Sequence, residues 1–457
     1  MVEASAQIGS VAIRRPGLAI SERKLLLAAL DSAAVAAAFV GAFNLRTAQV
    51  RGVLFEVPRI GLALTLLAWL AGAQIAGAYD LRVTTSLRST VRVIGTSLGF
   101  SLVGLLAFFF VVPYRITRPT LLLWVPLAGA LILGGRLVYH RVFARGYMAG
   151  RVALVMNREA LHVVWPEVAQ HLRGLYRVVA VVDPKGREVT QRLSQLVSAR
   201  SVDQIVLGVR DDISRNLFRG LLACHDGGVA VRSVADVYEE LTGRMLLDQL
   251  GHTWLVALPM RSETSRLYRL FKRTVDIITA VVALAMLALL LPIVAVVMLM
   301  TDRGPLFHSQ LLVGKYGHHF RLFKLRTMYV STIQSTWTSA GDTRITPVGR
   351  VLRRLHLDEL PQAWSILRGD MSLVGPRPEQ PRYVEELRKQ IDFYNTRLTV
   401  RPGLTGWAQV NYGYGSGVDG ARVKLSYDLY YIKRQAASLD ALIMARTVLA
   451  ILALNGR

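Results

Sequence analysis

Hydrophobic residues in the first third of the chain gather into four stretches of about twenty, each long enough to cross a bilayer's hydrocarbon layer as a helix. They run from Leu25 to Asn44, Ile60 to Ala78, Val93 to Val112 and Thr120 to Tyr139. From about Arg151 the pattern changes to short β-branched runs (VALVM, YRVVAVVD, DQIVLGV, VAVRSV) alternating with helical stretches such as LHVVWPEVAQHL and ISRNLFRGLLACH. That alternation predicts a parallel α/β module. A further uncharged run, Ile277 to Thr301, is again long enough to span, but Pro292 inside it removes a helical hydrogen bond. From Gly304 on the apolar fraction is moderate, and Gly, Pro and Arg are dense. Binding and catalytic loops concentrate in such stretches.

Composition sharpens the membrane reading. With 457 residues, 52% of them hydrophobic, and a mean hydropathy of +0.36, the chain is too apolar for an ordinary soluble protein. Its net charge of +24 comes mostly from Arg flanking the apolar runs. Anionic headgroups account for that placement better than nucleic acid, since no basic motif interleaved with aromatics is present. Arg14, Arg15, Arg23 and Lys24 precede the first span, and Arg136, Arg141, Arg145 and Arg151 close or follow the fourth. Both ends are therefore expected in the cytoplasm, although Arg46, Arg51, Arg59, Arg115 and Arg118 in the outer loops make the bias modest. The polar stretch to Lys24 leads into a full-length span, so no cleavable signal peptide is expected. Asp31 lies inside the first span, where a carboxylate needs a partner or a function.

The flanks of Ile277 to Thr301 are both basic: Arg266, Arg269, Lys272 and Arg273 before it, and Arg303, Lys315, Arg321, Lys324 and Arg326 after. A re-entrant helix broken at Pro292, entering one leaflet and returning, satisfies this better than a plain fifth span. The plain span would put everything after Arg303 on the outer face. The domain expectation is a four-helix transmembrane region (1–146), a cytoplasmic Rossmann-like α/β module (147–258), a linker with the re-entrant helix (259–305), and a mainly helical α+β catalytic domain (306–457). The α/β module has MNREA where a dinucleotide site needs GxGxxG, so a structural or regulatory role is expected. One cysteine, Cys224, excludes an intrachain disulfide, and no HExxH-type spacing points to zinc.

Chemistry concentrates around GRVLRRLHLDELPQAWSIL. Asp358 stands three residues before Pro361, which reads as a helix start with Asp358 as N-cap and Glu359 as the first helical residue. Two adjacent ionised carboxylates need counter-charge. Arg350, Arg353 and Arg354 can supply part of it, and a divalent cation the rest; Mg²⁺ suits hard oxygen ligands shared with substrate phosphates. In FRLFKLRTM, Lys324 and Arg326 share one face of an expected strand. GDMSLVGPRPE holds Arg377 between two prolines, presenting a guanidinium suited to bidentate phosphate contact. VRPGLTGWAQV adds Arg401, a Pro402-Gly403 turn, and Trp407, whose ring suits either the membrane interface or a nucleobase.

These motifs resemble the bacterial polyprenyl-phosphate hexose-1-phosphate transferases, the large monotopic phosphoglycosyl transferases, and within them the exopolysaccharide branch of exosortase-associated loci. The resemblance covers most of the chain, through KLSYDLYYIKRQAASLDALIMARTV. It implies that Asp358 is a nucleophile that takes a sugar 1-phosphate from a UDP-sugar, releases UMP, and passes the phosphosugar to undecaprenyl phosphate. Glucose or galactose phosphate is the implied cargo. By the same resemblance Glu359 helps to bind Mg²⁺, and Lys324, Arg326, Arg353 and Arg377 match phosphate-handling positions. It further implies an inner-membrane enzyme with a cytoplasmic catalytic domain, membrane lipid and polysaccharide-assembly proteins as partners, and a homodimer. The chain departs from the family pattern at Leu291, Leu312, His356 and Ser365. A rival reading is a catalytically degenerate membrane scaffold for polysaccharide assembly. Two decoys are set aside: GSGVDG (Gly415, Gly417, Gly420) has no second βα unit after it, and Asp211-Asp212 has no basic cluster beside it.

Overall fold

The computed structural model describes residues 20–51, 59–79, 87–111, 118–144, 150–157, 161–162, 165–172, 176–186, 188–199, 201–209, 213–247, 265–301, 304–329, 344–412, 415 and 417–452. Arg14, Arg15, Arg115, Arg145, Asp211, Asp212 and Arg303 lie outside them. The chain divides into two compact units, 1–242 and 243–457.

In the first unit, the four apolar stretches form helices α1 (Ile20–Arg51), α2 (Arg59–Ala76), α3 (Leu87–Val111) and α4 (Arg118–Ala144). Val35, Phe39, Trp69, Leu98, Trp124 and Ile132 meet in their shared core. Asp31 has its partner: Arg136 of α4 lies 2.6 Å from it, and both side chains are buried. A paired intramembrane carboxylate clamps α1 to α4, the partner role the sequence allows.

The α/β module follows, with four parallel strands in the order β2 (Tyr176–Val182), β1 (Gly150–Val155), β3 (Gln204–Leu207), β4 (Ala230–Ser233). Helices α5 (Trp165–Leu172), α6 (Val189–Ser198), α7 (Arg215–Asp226) and α8 (Val234–Thr242) accompany them. Cys224 is buried in the core between the sheet and α6 and α7. The compact unit that holds the module ends at Thr242, and residues 248–258 of the expected module lie outside the described residues. Gly243 and Met245 already belong to the second unit, where Met245 N donates to the Ser426 carbonyl and Trp407 Nε1 to the Gly243 carbonyl.

The second unit is built on α9, a 36-residue helix from Arg266 to Thr301. Here the sequence expectation is corrected, because the helix continues through Pro292. A proline deletes one hydrogen bond and crowds the carbonyl four residues back, which bends a helix without necessarily ending it. Among the described residues, five helices, α1 to α4 and α9, are long and apolar enough to cross a membrane. One stripe of α9 faces protein: Ala280, Ala283, Leu284, Leu287, Leu291 and Val294 pack against the elements that follow. The opposite stripe, including Ile278, Val282, Leu289, Ile293 and Met300, is exposed. The expected linker helix is therefore an integral wall of the catalytic unit.

Against α9 lie an antiparallel hairpin of β5 (Phe307–Val313) and β6 (His319–Leu325) and a parallel pair, β7 (Ser372–Val374) with β8 (Gly403–Thr405). Helices α10 (Pro347–Arg354), α11 (Ala363–Arg368), α12 (Pro381–Gln390), α13 (Trp407–Asn411), α14 (Gly417–Lys433) and α15 (Ala437–Leu452) complete this mainly helical α+β unit. Polar bolts reinforce the apolar seam. Arg273 donates to the carbonyls of Ile366 and Leu367, both at 2.7 Å, at the C-terminal end of α11. Asp276 accepts from Ser372 Oγ and Leu373 N, and Lys272 reaches Asp440 and the Val374 carbonyl.

Candidate active site

Helix α10 starts where Thr346 caps it, accepting from Gly349 N at 2.9 Å, with Pro347 at the first helical position. Its first turn rests on Thr327, just past β6: Thr346 N donates to the Thr327 carbonyl. A Cβ at position 349 would collide with that carbonyl, so only glycine permits the approach. One turn on, Arg353 reaches back and its Nε donates to Thr327 Oγ1 at 2.8 Å. The chain then turns sharply at His356, a non-glycine residue in the left-handed region (φ 54°). A short 3-10 helix, Leu357–Gln362, follows and runs into α11.

This corrects the position of the acid pair. His356 occupies the cap position, and Asp358 and Glu359 both lie within the first turn, with Pro361 accommodated inside the 3-10 helix. Asp358 is buried. Burial first, and then the adjacent Glu359, raise its carboxyl above the usual range, while Lys324 and Arg353 pull it back. Glu359 behaves oppositely. Burial pushes it up, but Lys324, Arg377 and His356 together outweigh that and hold it below the usual range. Lys324 Nζ lies 3.4 Å from Glu359 Oε1. One carboxylate is thus made reluctant to ionise and the other is firmly anionic, a difference set by their separate neighbours.

Of the predicted cations, Lys324, Arg353 and Arg377 act on the pair; Arg326 and Arg401 have other contacts. Arg326 is buried, its Nε donating to the Pro305 carbonyl at 2.8 Å and its guanidinium packed against Gly304. It lies one residue beyond the end of β6, so strand alternation no longer governs it. Arg401 is exposed and lies beside Gly369 and Arg273, at the end of α11 remote from Asp358. Arg350 and Arg354 also point to solvent, flanking the exposed Val351 and Leu355. Trp407 is neither at an interface nor free for a base: it is buried in the core and stacked on Tyr430 with ring centroids 5.9 Å apart. In GSGVDG, Gly420 is pressed onto the Gly415 backbone, while Gly417 faces open space at a positive φ of 76°.

Among the described residues, no group of three or more His, Cys, Asp or Glu side chains gathers as a metal cage. Asp358 and Glu359 are a two-carboxylate donor set. That set suits Mg²⁺, which takes one or two protein carboxylates and completes its shell with phosphate oxygens and water. Two of the family departures have structural explanations: Leu312 fills the core beneath the hairpin, and Leu291 packs on the face of α9 turned to α10.

The model of the bacterial sugar transferase family matches residues 267–454, the stretch that contains α9 and every residue of the site. A UDP-glucose:undecaprenyl-phosphate glucose-1-phosphate transferase of Caulobacter vibrioides is 39% identical over 186 residues, 40% of this chain and 69% of that protein. The chain belongs to the bacterial sugar transferase family. Longer relatives extend the match. A UDP-N-acetylgalactosamine-undecaprenyl-phosphate N-acetylgalactosaminephosphotransferase of Aeromonas hydrophila is 39% identical over 253 residues, 55% of this chain and 59% of its own length. An undecaprenyl-phosphate glucose phosphotransferase of Komagataeibacter xylinus is 30% identical over 338 residues, 69% and 61% of the two chains. The chain thus spans about three-fifths of each of these two longer family members.

Proposed function

We propose that this family member transfers a sugar 1-phosphate from a UDP-sugar to undecaprenyl phosphate, releasing UMP, through a phosphosugar held covalently on Asp358. The observation that carries the reading is the divided acid pair: a buried carboxylate of raised proton affinity beside an anionic one, faced by Lys324, Arg353 and Arg377.

In the first step a carboxylate oxygen of Asp358 attacks the β-phosphorus of the donor, and the bond from that phosphorus to the oxygen bridging the two phosphates breaks. UMP leaves with the bridging oxygen. In the second step a phosphate oxygen of undecaprenyl phosphate attacks the same phosphorus and the aspartyl carboxylate is regenerated. Asp358 attacks in its ionised form, which Lys324 and Arg353 favour against burial and the adjacent Glu359. Lys324, Arg353 and Arg377 meet the charge that spreads over the non-bridging oxygens of the transferring phosphoryl group. Glu359, with Asp358, would hold Mg²⁺; when bound, the ion neutralises diphosphate charge and favours departure of UMP. Two steps divide one difficult transfer between a water-soluble and a lipid substrate.

The position of α9 supports work at a membrane surface. Lys272 to Val294 packs along the catalytic elements over about 33 Å, as much as the hydrocarbon layer is thick. A perpendicular span would drag those polar elements through lipid, so a helix that enters one leaflet fits better, with Pro292 as its weak point. On this reading the catalytic unit lies at the cytoplasmic face of the inner membrane, and the reaction is the first membrane step of exopolysaccharide synthesis. Full-length protein incubated with UDP-glucose, UDP-galactose and UDP-N-acetylgalactosamine should release UMP from at least one of them. Release from none would end the proposal. A Lys315→Cys label should react only from the cytoplasmic side, and reaction from outside would make α9 a true span.

A further inference from the structure

Arg377 is exposed, yet the turn that carries it is tied on every side. Gly403 N donates to the Pro376 carbonyl, Gly375 N to the Thr405 carbonyl, and Val313 N to the Glu379 carbonyl. The Arg377 carbonyl itself is taken by a side chain, Arg397 Nη2, at 2.9 Å.

Arg397 sits in the 3-10 helix Tyr394–Thr399 and is only 6% exposed. Its Nη1 donates to Tyr394 Oη at 2.7 Å and lies 3.0 Å from Glu379 Oε1, while Tyr394 Oη donates to Glu379 Oε2. Its Nη2 also lies 2.9 Å from Asp428 Oδ2 of α14. That last contact is off the N–H direction, so Oδ2 accepts no aligned hydrogen bond. Glu379 is the second residue past Arg377, so the guanidinium of Arg397 grips the PRPE segment twice, by a backbone carbonyl and by a side chain. Charge-assisted contacts to a planar fork fix direction as well as distance.

We propose that Arg397, clamped between Glu379 and Asp428, is a positioning residue that sets the direction in which Arg377 meets the donor's diphosphate. The inference rests on the transfer reading above and deepens it. Asp428 carries the discriminating observation. Burial raises its carboxyl to about 6, against the pull of Arg397, and with Glu379 adding to the rise. Folding thus disfavours its charge, yet the buried Arg397 beside it needs a counter-charge. The carboxylate supplies the counter-charge that holds Arg397 against the Arg377 carbonyl. Lys424, on the same helix, also senses Glu379, Arg377, Arg397 and Asp428, so the cluster forms one electrostatic unit with the PRP turn.

The test measures UDP affinity of the full chain in detergent, together with UMP release. Arg397→Lys keeps the charge and loses the fork, and UDP affinity should fall about tenfold, the effect of one charge-assisted hydrogen bond. In an Arg377→Ala background the same change should cost less than about twofold, because the group it positions is gone. Asp428→Asn should also weaken UDP binding. Wild-type affinity in Arg397→Lys, full additivity with Arg377→Ala, or loss of stability without loss of affinity in Asp428→Asn would each overturn the assignment. A wild type that binds UDP but releases no UMP refutes the transfer reading and leaves the positioning role standing; one that binds no UDP refutes both.

Discussion

Lys324→Met tests the electrostatics of the acid pair most sharply. Its Nζ lies 3.4 Å from Glu359 Oε1, a separation at which Coulomb's law gives about 5 kcal/mol at an effective dielectric near 20. The two side chains are 26% and 22% exposed, and solvent screening brings the usable interaction to roughly 1–2 kcal/mol. Without Lys324, Glu359 loses the largest of the charges that hold it low, and Asp358, already raised by burial, rises further. Attack needs ionised Asp358. The acid limb of the pH profile should therefore move to higher pH, with activity partly recovered at alkaline pH. Initial UMP release between about pH 5 and 9, at saturating UDP-sugar, reads the shift. A uniform fall in rate with an unmoved limb would refute the reasoning, because Lys324 would then act on substrate alone.

Other expectations follow from the same contacts. Gly349→Ala should lift α10 off the Thr327 carbonyl, lowering the unfolding temperature and costing about 1–3 kcal/mol by overpacking, with UMP release falling in parallel. A thermal melt with wild-type midpoint would contradict the close approach. Arg401→Ala, at the end of α11 remote from Asp358, should change turnover less than about threefold, and Arg377→Ala by at least about tenfold. Equal losses would return Arg401 to the site. Trp407→Phe removes the 2.7 Å hydrogen bond to Gly243 and should cost about 1 kcal/mol in chemical denaturation, with nucleotide affinity unchanged.

Much of the architecture is legible because it follows from local periodicity. The four long apolar helices and the parallel sheet are read directly from hydropathy and β-branched alternation. Pro292 misleads because a missing hydrogen bond weakens a helix without deciding whether it ends; packing of Leu287, Leu291 and Val294 on the catalytic elements sustains it. Within the site, Lys324, Arg353 and Arg377 are legible from short motifs. Arg326 and Arg401 look identical to them in sequence, and only tertiary contacts with Pro305 and Gly369 separate them. The placement of Asp358 as a cap fails because His356 adopts a left-handed conformation that no proline or glycine announces. Arg397 and Asp428 escape altogether. They are 20 and 51 residues beyond Arg377 (397 − 377 and 428 − 377), and their partnership exists only once α14 folds back on the PRP turn.

The central claim is that Asp358 carries the phosphosugar. The measurement that tests it most directly is mass spectrometry of wild type and Asp358→Asn after incubation with UDP-sugar and no lipid acceptor. A phosphosugar adduct should appear on the peptide holding Asp358, matched by a burst of UMP, and Asp358→Asn should show neither. An adduct on another residue, or undiminished UMP release from Asp358→Asn, would contradict the account.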